Sequence, residues 1–264
     1  MPLGEFEREV LRLIARNRNP DSFIAGATVL HQSPGSPRAS RDVDVFHDTT
    51  ESLARSVEVD TALLRAAGYE VEIGREQETF RRALVRRAGR GTKLEWVFDS
   101  AFRFFPIEPD DDLGWRLNFW DAATNKTLAL FGRHEFRDFV DVHYLHHHHL
   151  HFGALVWAAS GKDGGLTPQM ILEWTKRQAF YTPEQVKEVQ SIKPVDLVQM
   201  RRDWLGMVAE AEALLEKLPP AEMGCLYLAA TGKPVCPDPA SPEFPKLARH
   251  YGSVKGAWPR IVEG

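Results

Sequence analysis

The spacing of apolar residues changes character twice along the chain. In EFEREVLRLIARN (5–17), Phe6, Val10, Leu13 and Ile14 recur at helical spacing, which predicts an amphipathic helix. SFIAGATVLHQ (22–32) is an apolar run broken at Gly26, the pattern of a short strand that turns sharply into a helix. SPGSPRAS (33–40) reads as loop. RDVDVFHD (41–48) then alternates with a period of two, as a strand does, and a helical segment from about Glu51 to Ala67 stops at Gly68. Three more strands are predicted at YEVEI (69–73), FRRALVRR (80–87) and KLEWVF (93–98), with AGRGT as a hairpin turn between the last two.

From Asp121 the pattern becomes helical: DAATNKTLALF (121–131), EFRDFVDVHYLHHHHL (135–150), ALVWAAS (154–160), PQMILEWTKRQAF (168–180) and a long segment ending near ALLEKL (213–218). The chain beyond, with KPVCPDPASPEFP (233–245), is proline-rich and reads as an irregular tail. The expected fold is therefore α/β, of the α+β kind. A mixed sheet with flanking helices occupies residues 1–120, and residues 121–264 form a helical region that closes a cleft against it.

Composition narrows the function. The chain has 264 residues, 43% hydrophobic and 27% charged, the balance of a soluble globular protein. Its net charge of −4 argues against an overall basic surface for nucleic acid, but FRRALVRRAGRG (80–91) and MRRDW (200–204) are local arginine clusters. Two cysteines, Cys225 and Cys236, are too few for a disulfide framework and match no zinc motif, so a reducing compartment is expected. MPLGEFEREV has no signal-peptide pattern, and no apolar run approaches the ~20 residues needed to span a bilayer. The expected location is the cytoplasm, with no membrane partner.

The candidate chemistry lies in SRDVDVFHD (40–48). On a strand, Asp42 and Asp44 share one face, while Val43 and Val45 point to the other. Carboxylates so close repel unless a positive charge lies between them. Mg²⁺ (or Mn²⁺) is one answer, since it takes oxygen ligands and keeps water and substrate phosphates in its shell. Such ions activate an attacking hydroxyl and stabilise a leaving pyrophosphate, which would be phosphoryl or nucleotidyl chemistry. A solvated edge strand that merely tolerates two acids is the other reading. Upstream, the backbone after Gly26 can offer amides to a phosphate. Downstream, Glu95 and Asp99 in KLEWVFD share a face, and either is a candidate third carboxylate, with Glu95 nearer the strand centre.

Taken in order, FIAGATVL, RASRDVDVFHD, a carboxylate strand, NKTLAL and RDFVDVHYL resemble the AbiEii/AbiGii-type nucleotidyltransferase toxins of the DNA polymerase beta-like superfamily, over roughly residues 20–150. The resemblance implies that Asp42 and Asp44 are the catalytic metal-binding pair, with Glu95 or Asp99 completing it. It also implies that Gly26 and Ala27 form the nucleotide-phosphate turn and that Arg38, Ser40 and Arg41 form the flank before the acids. Lys126 would face the triphosphate, and Asp138 would be the downstream catalytic acid, with Asp141 one helical turn on. The chain departs from the pattern at Ala27, where the family often has Gly or Ser, and in a longer gap holding Pro34 and Pro37.

By this resemblance the protein transfers a nucleoside monophosphate from an NTP to an acceptor hydroxyl, as a toxin of a toxin–antitoxin or phage-defence pair. The implied acceptor is RNA, in particular tRNA, with FRRALVRRAGRGTK as its backbone contact, and the implied protein partner is a cognate antitoxin. Two alternatives stand beside it: an antibiotic-type enzyme that modifies a small molecule, and a non-catalytic relative that only binds a partner. Bare lysine and RDFVD readings also remain, as a snorkelling surface residue and an internal ion-pair lattice.

HYLHHHHLH (143–151) invites a metal reading, because His143, His147 and His151 line one helical stripe. Four consecutive histidines nevertheless wrap the helix, and Tyr144, Leu145 and Leu150 set its packing. The run is read as mainly exposed histidines with adventitious affinity for nickel or zinc. GKDGG (161–165) lacks the rest of a phosphate loop and reads as a turn.

Overall fold

The structure is a computed structural model that describes residues 3–32, 36–39, 42–187, 189 and 196–259. It divides into two compact units, Met1–Ala101 with Pro106–Ala122, and Phe102–Phe105 with Ala123–Gly264. Mixed α/β architecture was the expectation, and it is what the chain forms.

In the first unit, α1 (Glu5–Ile14) buries Phe6, Val10, Leu11 and Ile14. Strand β1 (Ser22–Ile24) leads through Gly26 into a single helical turn, α2 (Ala27–Leu30). Strand β2 (Asp42–His47) is followed by α3 (Thr50–Ala66), capped by Thr49, whose hydroxyl accepts from the Ser52 amide at 3.1 Å. A two-residue turn with positive φ at Ala88 and Gly89 joins β4 (Phe80–Arg87) to β5 (Arg90–Phe98), and β3 (Glu70–Gln77) lies on the outer side of β4. Both turn residues in the left-handed region give the twist that a two-residue hairpin needs. A short strand, β6 (Phe102–Arg103), belongs to the second unit, and β7 (Glu108–Asp110) and β8 (Gly114–Arg116) return to the first. Among the described residues the sheet runs β3-β4-β5-β2-β1-β8-β7. Strand β2 is parallel to β5 and antiparallel to β1.

One face of this sheet is the core. Val43, Val45, Leu94 and Trp96 pack with Phe6, Val10 and Ile14 of α1 and Leu53 and Leu64 of α3. A buried polar network is set into it. The Arg18 guanidinium donates to both Asp60 oxygens at 2.6 and 2.7 Å, and Trp96 Nε1 donates to Asp60 Oδ2 at 2.8 Å. Asp60 is thus neutralised and hydrogen-bonded, the condition for burying a carboxylate at acceptable cost.

The second unit contains most of α4 (Phe119–Gly132), then α5 (Phe136–His148), α6 (Phe152–Ala159), α7 (Pro168–Thr175), α8 (Pro183–Lys187) and α9 (Leu197–Leu215). The chain beyond α9, expected to be irregular, contains β9 (Cys225–Leu228), paired antiparallel with β10 (Ala248–Tyr251). Its last strand, β11 (Ser253–Val254), pairs with β6. These pairings are long-range, so their short, proline-flanked segments leave little local periodicity to read. Helices α5, α6 and α9 pack through Phe139, Phe152 and Trp204, whose rings lie 4.9 to 5.1 Å apart.

Candidate active site

On β2 the alternation is strict: Val43 and Val45 are buried, and Asp42 and Asp44 lie half-buried on the opposite face. The hydrophobic core therefore fixes where the acids point. A one-residue slip would bury both carboxylates and expose two valines. Across the parallel pair with β5, Asp44 is in register with Glu95 and Asp42 with Lys93. Facing residues of adjacent strands sit about 4.8 Å apart, which brings the Glu95 side chain beside Asp44.

Gly26 closes the other side. The Ala25 amide donates to the Asp44 carbonyl at 3.4 Å, so the end of β1 is tied to β2. Gly26 follows with φ 68° and ψ −146°, a backbone region open to glycine. A β-carbon there would stand 3.1 Å from Asp44 Oδ2. The space beside the carboxylate thus exists because this residue has no side chain. Ala27 is buried at the start of α2, and Arg38 is buried before β2. Ser40 and Arg41 lie outside the described residues.

The candidate third carboxylates separate. Glu95 lies level with Asp44 and accepts from Arg82 Nε at 2.7 Å. Asp99 follows the end of β5, where its amide donates to the His47 carbonyl at 3.1 Å and its Oδ1 accepts from the Ser100 amide at 2.8 Å. Four residues of strand correspond to about 13 Å, so Glu95 and Asp99 do not share a level on the sheet. Asp42, Asp44 and Glu95 offer hard oxygen donors on one face, beside a gap that a β-carbon would fill. That set fits Mg²⁺ or Mn²⁺ and lacks the imidazole or thiolate that softer ions prefer.

In the second unit, Lys126 of α4 is held by two aspartates of α5. Its Nζ lies 2.7 Å from Asp138 Oδ1 and 3.1 Å from Asp141 Oδ2. Arg133 Nε also reaches Asp138 Oδ2 at 2.6 Å. Both aspartates are fully buried and Lys126 is 7% exposed, so this lysine is no snorkelling surface residue. Burial alone would raise the Asp138 carboxyl, but Lys126 and Arg133 outweigh it and hold its pKa below the usual carboxylate value. The i,i+3 spacing of the aspartates was visible in RDFVD. Their convergence on Lys126 depends on the packing of α5 against α4.

The arginine cluster proposed for nucleic acid has acidic partners within the chain. Arg82 pairs with Glu95 at 2.7 Å, Arg86 with Glu72 at 2.9 Å and Arg87 with Glu9 at 2.7 Å. Arg87 also lies over the Tyr69 ring, 4.1 Å from its centroid. The partners come from α1, β3 and β5, and so are scattered through the sequence.

The mixed sheet, with two acids on one strand face against a glycine turn, has the architecture of a nucleotidyltransferase. Solved structures share its fold. MenT4, a nucleotidyltransferase toxin from Mycobacterium tuberculosis H37Rv, is 16% identical with a TM-score of 0.58, covering 82% of this chain and 83% of that one. JHP933 from Helicobacter pylori is 20% identical with a TM-score of 0.51, covering 81% of this chain and 95% of that one. The family model for the nucleotidyl transferase AbiEii toxin of type IV toxin–antitoxin systems matches residues 12–222, and the chain belongs to this family. No curated protein sequence matches it. The protein is accordingly a nucleotidyltransferase of the toxin–antitoxin class, for which the family implies an NTP substrate and an antitoxin partner. Among the described residues, no helix is long and apolar enough to cross a membrane.

Proposed function

We propose that the protein transfers a nucleoside monophosphate from an NTP to a hydroxyl of RNA, with tRNA as the acceptor class, and that Asp42, Asp44 and Glu95 hold the divalent ion. The acceptor oxygen bonds to the α-phosphorus as the bond to the β-phosphate bridge breaks, releasing pyrophosphate. Bound there, Mg²⁺ or Mn²⁺ supplies charge neutralisation for the triphosphate and a lowered pKa for the attacking hydroxyl. The observation that carries this reading is the approach of Gly26 to the Asp44 carboxylate, 3.1 Å from where a β-carbon would stand, with Glu95 in register alongside.

The chain's own residues divide the remaining work. Gly26 and Ala27 give backbone close approach to the phosphates, and Ser40 and Arg41 flank the acids. Within the second unit Asp138, with Asp141, fixes the ammonium of Lys126, the lysine that the family resemblance assigns to the triphosphate. Arginines 86 and 87 reach RNA phosphate by exchanging their partners Glu72 and Glu9, a modest cost because partly exposed pairs contribute only about 0–1 kcal/mol. The family's toxin role supports a cognate antitoxin as partner and the cytoplasm as the place of action.

The test is to incubate the protein and its Asp44→Ala variant with each labelled NTP, Mg²⁺ and total RNA. Label should enter RNA with the parent alone. Equal labelling by the variant would remove the acids from the chemistry. Label appearing only in a low-molecular-mass product would overturn the RNA acceptor while retaining the enzyme class.

A further inference from the structure

The histidine run is divided by the fold into two groups. Helix α5 ends at His148, so His151 leaves the stripe that an unbroken helix would have continued. It caps α6 instead, accepting from the Gly153 amide through Nδ1 at 3.1 Å and meeting Glu210 through Nε2 at 3.3 Å. His146 turns the same way, its Nδ1 accepting from the Phe152 amide at 3.0 Å. His143 and His147 remain together on α5, with rings 4.4 Å apart. Opposite them stands a residue that nothing in the run predicts, Asp203 of α9.

We propose that His143, His147 and Asp203 form a zinc-class metal site, separate from the acids of β2, that ties α5 to α9. One ligand atom from each lies within 4.8 Å of the others, and His143 Nε2 is 3.4 Å from Asp203 Oδ2. Two donors about 2.0–2.1 Å from a tetrahedral Zn²⁺ stand about 3.4 Å apart, so that edge already has the required length. His147, the third member, is exposed, and its ligand atom lies within 4.8 Å of the other two. Two imidazoles and one carboxylate suit Zn²⁺, which accepts nitrogen readily, and are a poor match for Mg²⁺. The three ligands leave the fourth position to water or to an incoming group.

The surroundings are those of a supported site. Gln199 Nε2 donates to Asp203 Oδ1 at 2.7 Å, which fixes the carboxylate and leaves Oδ2 turned toward His143. The His143 ring lies beside Phe139, which packs on Trp204 of α9. The two helices are thus registered by apolar packing next to the ligands, one turn before His143 on α5 and adjacent to Asp203 on α9. Helix α5 also carries Asp138 and Asp141, so metal at this site stabilises the helix that holds Lys126.

Calorimetric titration of the chelator-treated full chain with Zn²⁺, in buffer containing millimolar Mg²⁺, tests this. The expected result is one Zn²⁺ per chain, with affinity reduced at least about tenfold in Asp203→Asn and in His143→Gln. A His148→Gln/His149→Gln double variant should bind as the parent does, because it alters the run without touching the ligands. Co²⁺ should give the intense visible absorption of a four-coordinate site, lost in both ligand variants whose metal-free melting matches the parent's. Asp203→Asn binding like the parent would overturn the proposal. So would the double variant losing affinity as steeply as the ligand variants, which would mean that the run captures metal unspecifically. None of these readouts depends on nucleotidyl transfer.

Discussion

Gly26→Ala is the sharpest perturbation of the proposed centre, because one methyl group acts on backbone and carboxylate together. The native φ of 68° and ψ of −146° lie where an L-residue is strained, by about 1–3 kcal/mol. The new β-carbon would also meet Asp44 Oδ2 at 3.1 Å and Cγ at 4.0 Å. Either the turn relaxes toward negative φ, pulling β1 from the Asp44 carbonyl, or the carboxylate shifts by a few tenths of an ångström. A misplacement of about 1 Å in a reacting constellation can cost about 10²-fold in rate, so a shift of part of that distance should lower kcat/KM by about tenfold. Urea unfolding should report a loss of about 1–3 kcal/mol, and labelled-nucleotide transfer should report the activity loss. Gly132→Ala is the control, since its β-carbon would meet nothing within 4 Å and its φ is not positive. If Gly26→Ala unfolds and reacts as the parent does, Gly26 is not shaping the space beside Asp44.

Lys126→Met should destabilise the second unit by about 3–5 kcal/mol, as breaking a buried ion pair does, because Asp141 and Asp138 lose a buried cation; denaturant melts followed by tryptophan fluorescence check this. Adding Asp141→Asn should recover part of the loss, and its failure to do so would refute the lattice as the cause. His47 gives a pH signature: burial, then Arg18, pushes its pKa down from 6.5 to about 4, and it stays neutral with Nδ1 donating to the Val97 carbonyl and Nε2 accepting from Ser22. The unfolded chain takes up this proton first, so stability should fall as pH drops from 6.5 to about 4, by roughly 3 kcal/mol in all. His47→Gln should flatten that segment of the stability profile, and an unchanged slope would exclude His47 as its source. Arg82→Ala should change stability by less than about 1 kcal/mol, as for a part-exposed pair, but it releases Glu95 and should alter the apparent Mg²⁺ requirement of nucleotide transfer; an unchanged requirement would place Glu95 outside the metal's ligands.

Local pattern was sufficient wherever an element's identity depends on its own periodicity. DVDVFH forms β2 with its valines inward and its acids outward, and the apolar spacing of EFEREVLRLI forms α1. The sharp break at Gly26 was likewise legible, and so was a hairpin turn within AGRGT, although the structure closes it in two residues, Ala88 and Gly89, and begins β5 at Arg90. The strands β10 and β11 were not visible, because each is two to four residues long and exists through a distant partner, and the local pair β7 and β8 was not visible because three residues each are too few to show an alternation.

The chemistry divides along the same line. The chain by itself determined that two acids share a strand face, that two aspartates lie one turn apart on α5, and that His143 and His147 share a stripe, since each follows from strand or helix geometry over a few residues. Tertiary structure alone decided that Glu95 stands beside Asp44, that Lys126 is buried between Asp138 and Asp141, that the arginines of β4 meet glutamates of α1, β3 and β5, and that Asp203 faces the histidines. Those neighbours are brought together by sheet register and helix packing, which the burial of apolar side chains over the whole unit selects, and no local sequence window contains that information.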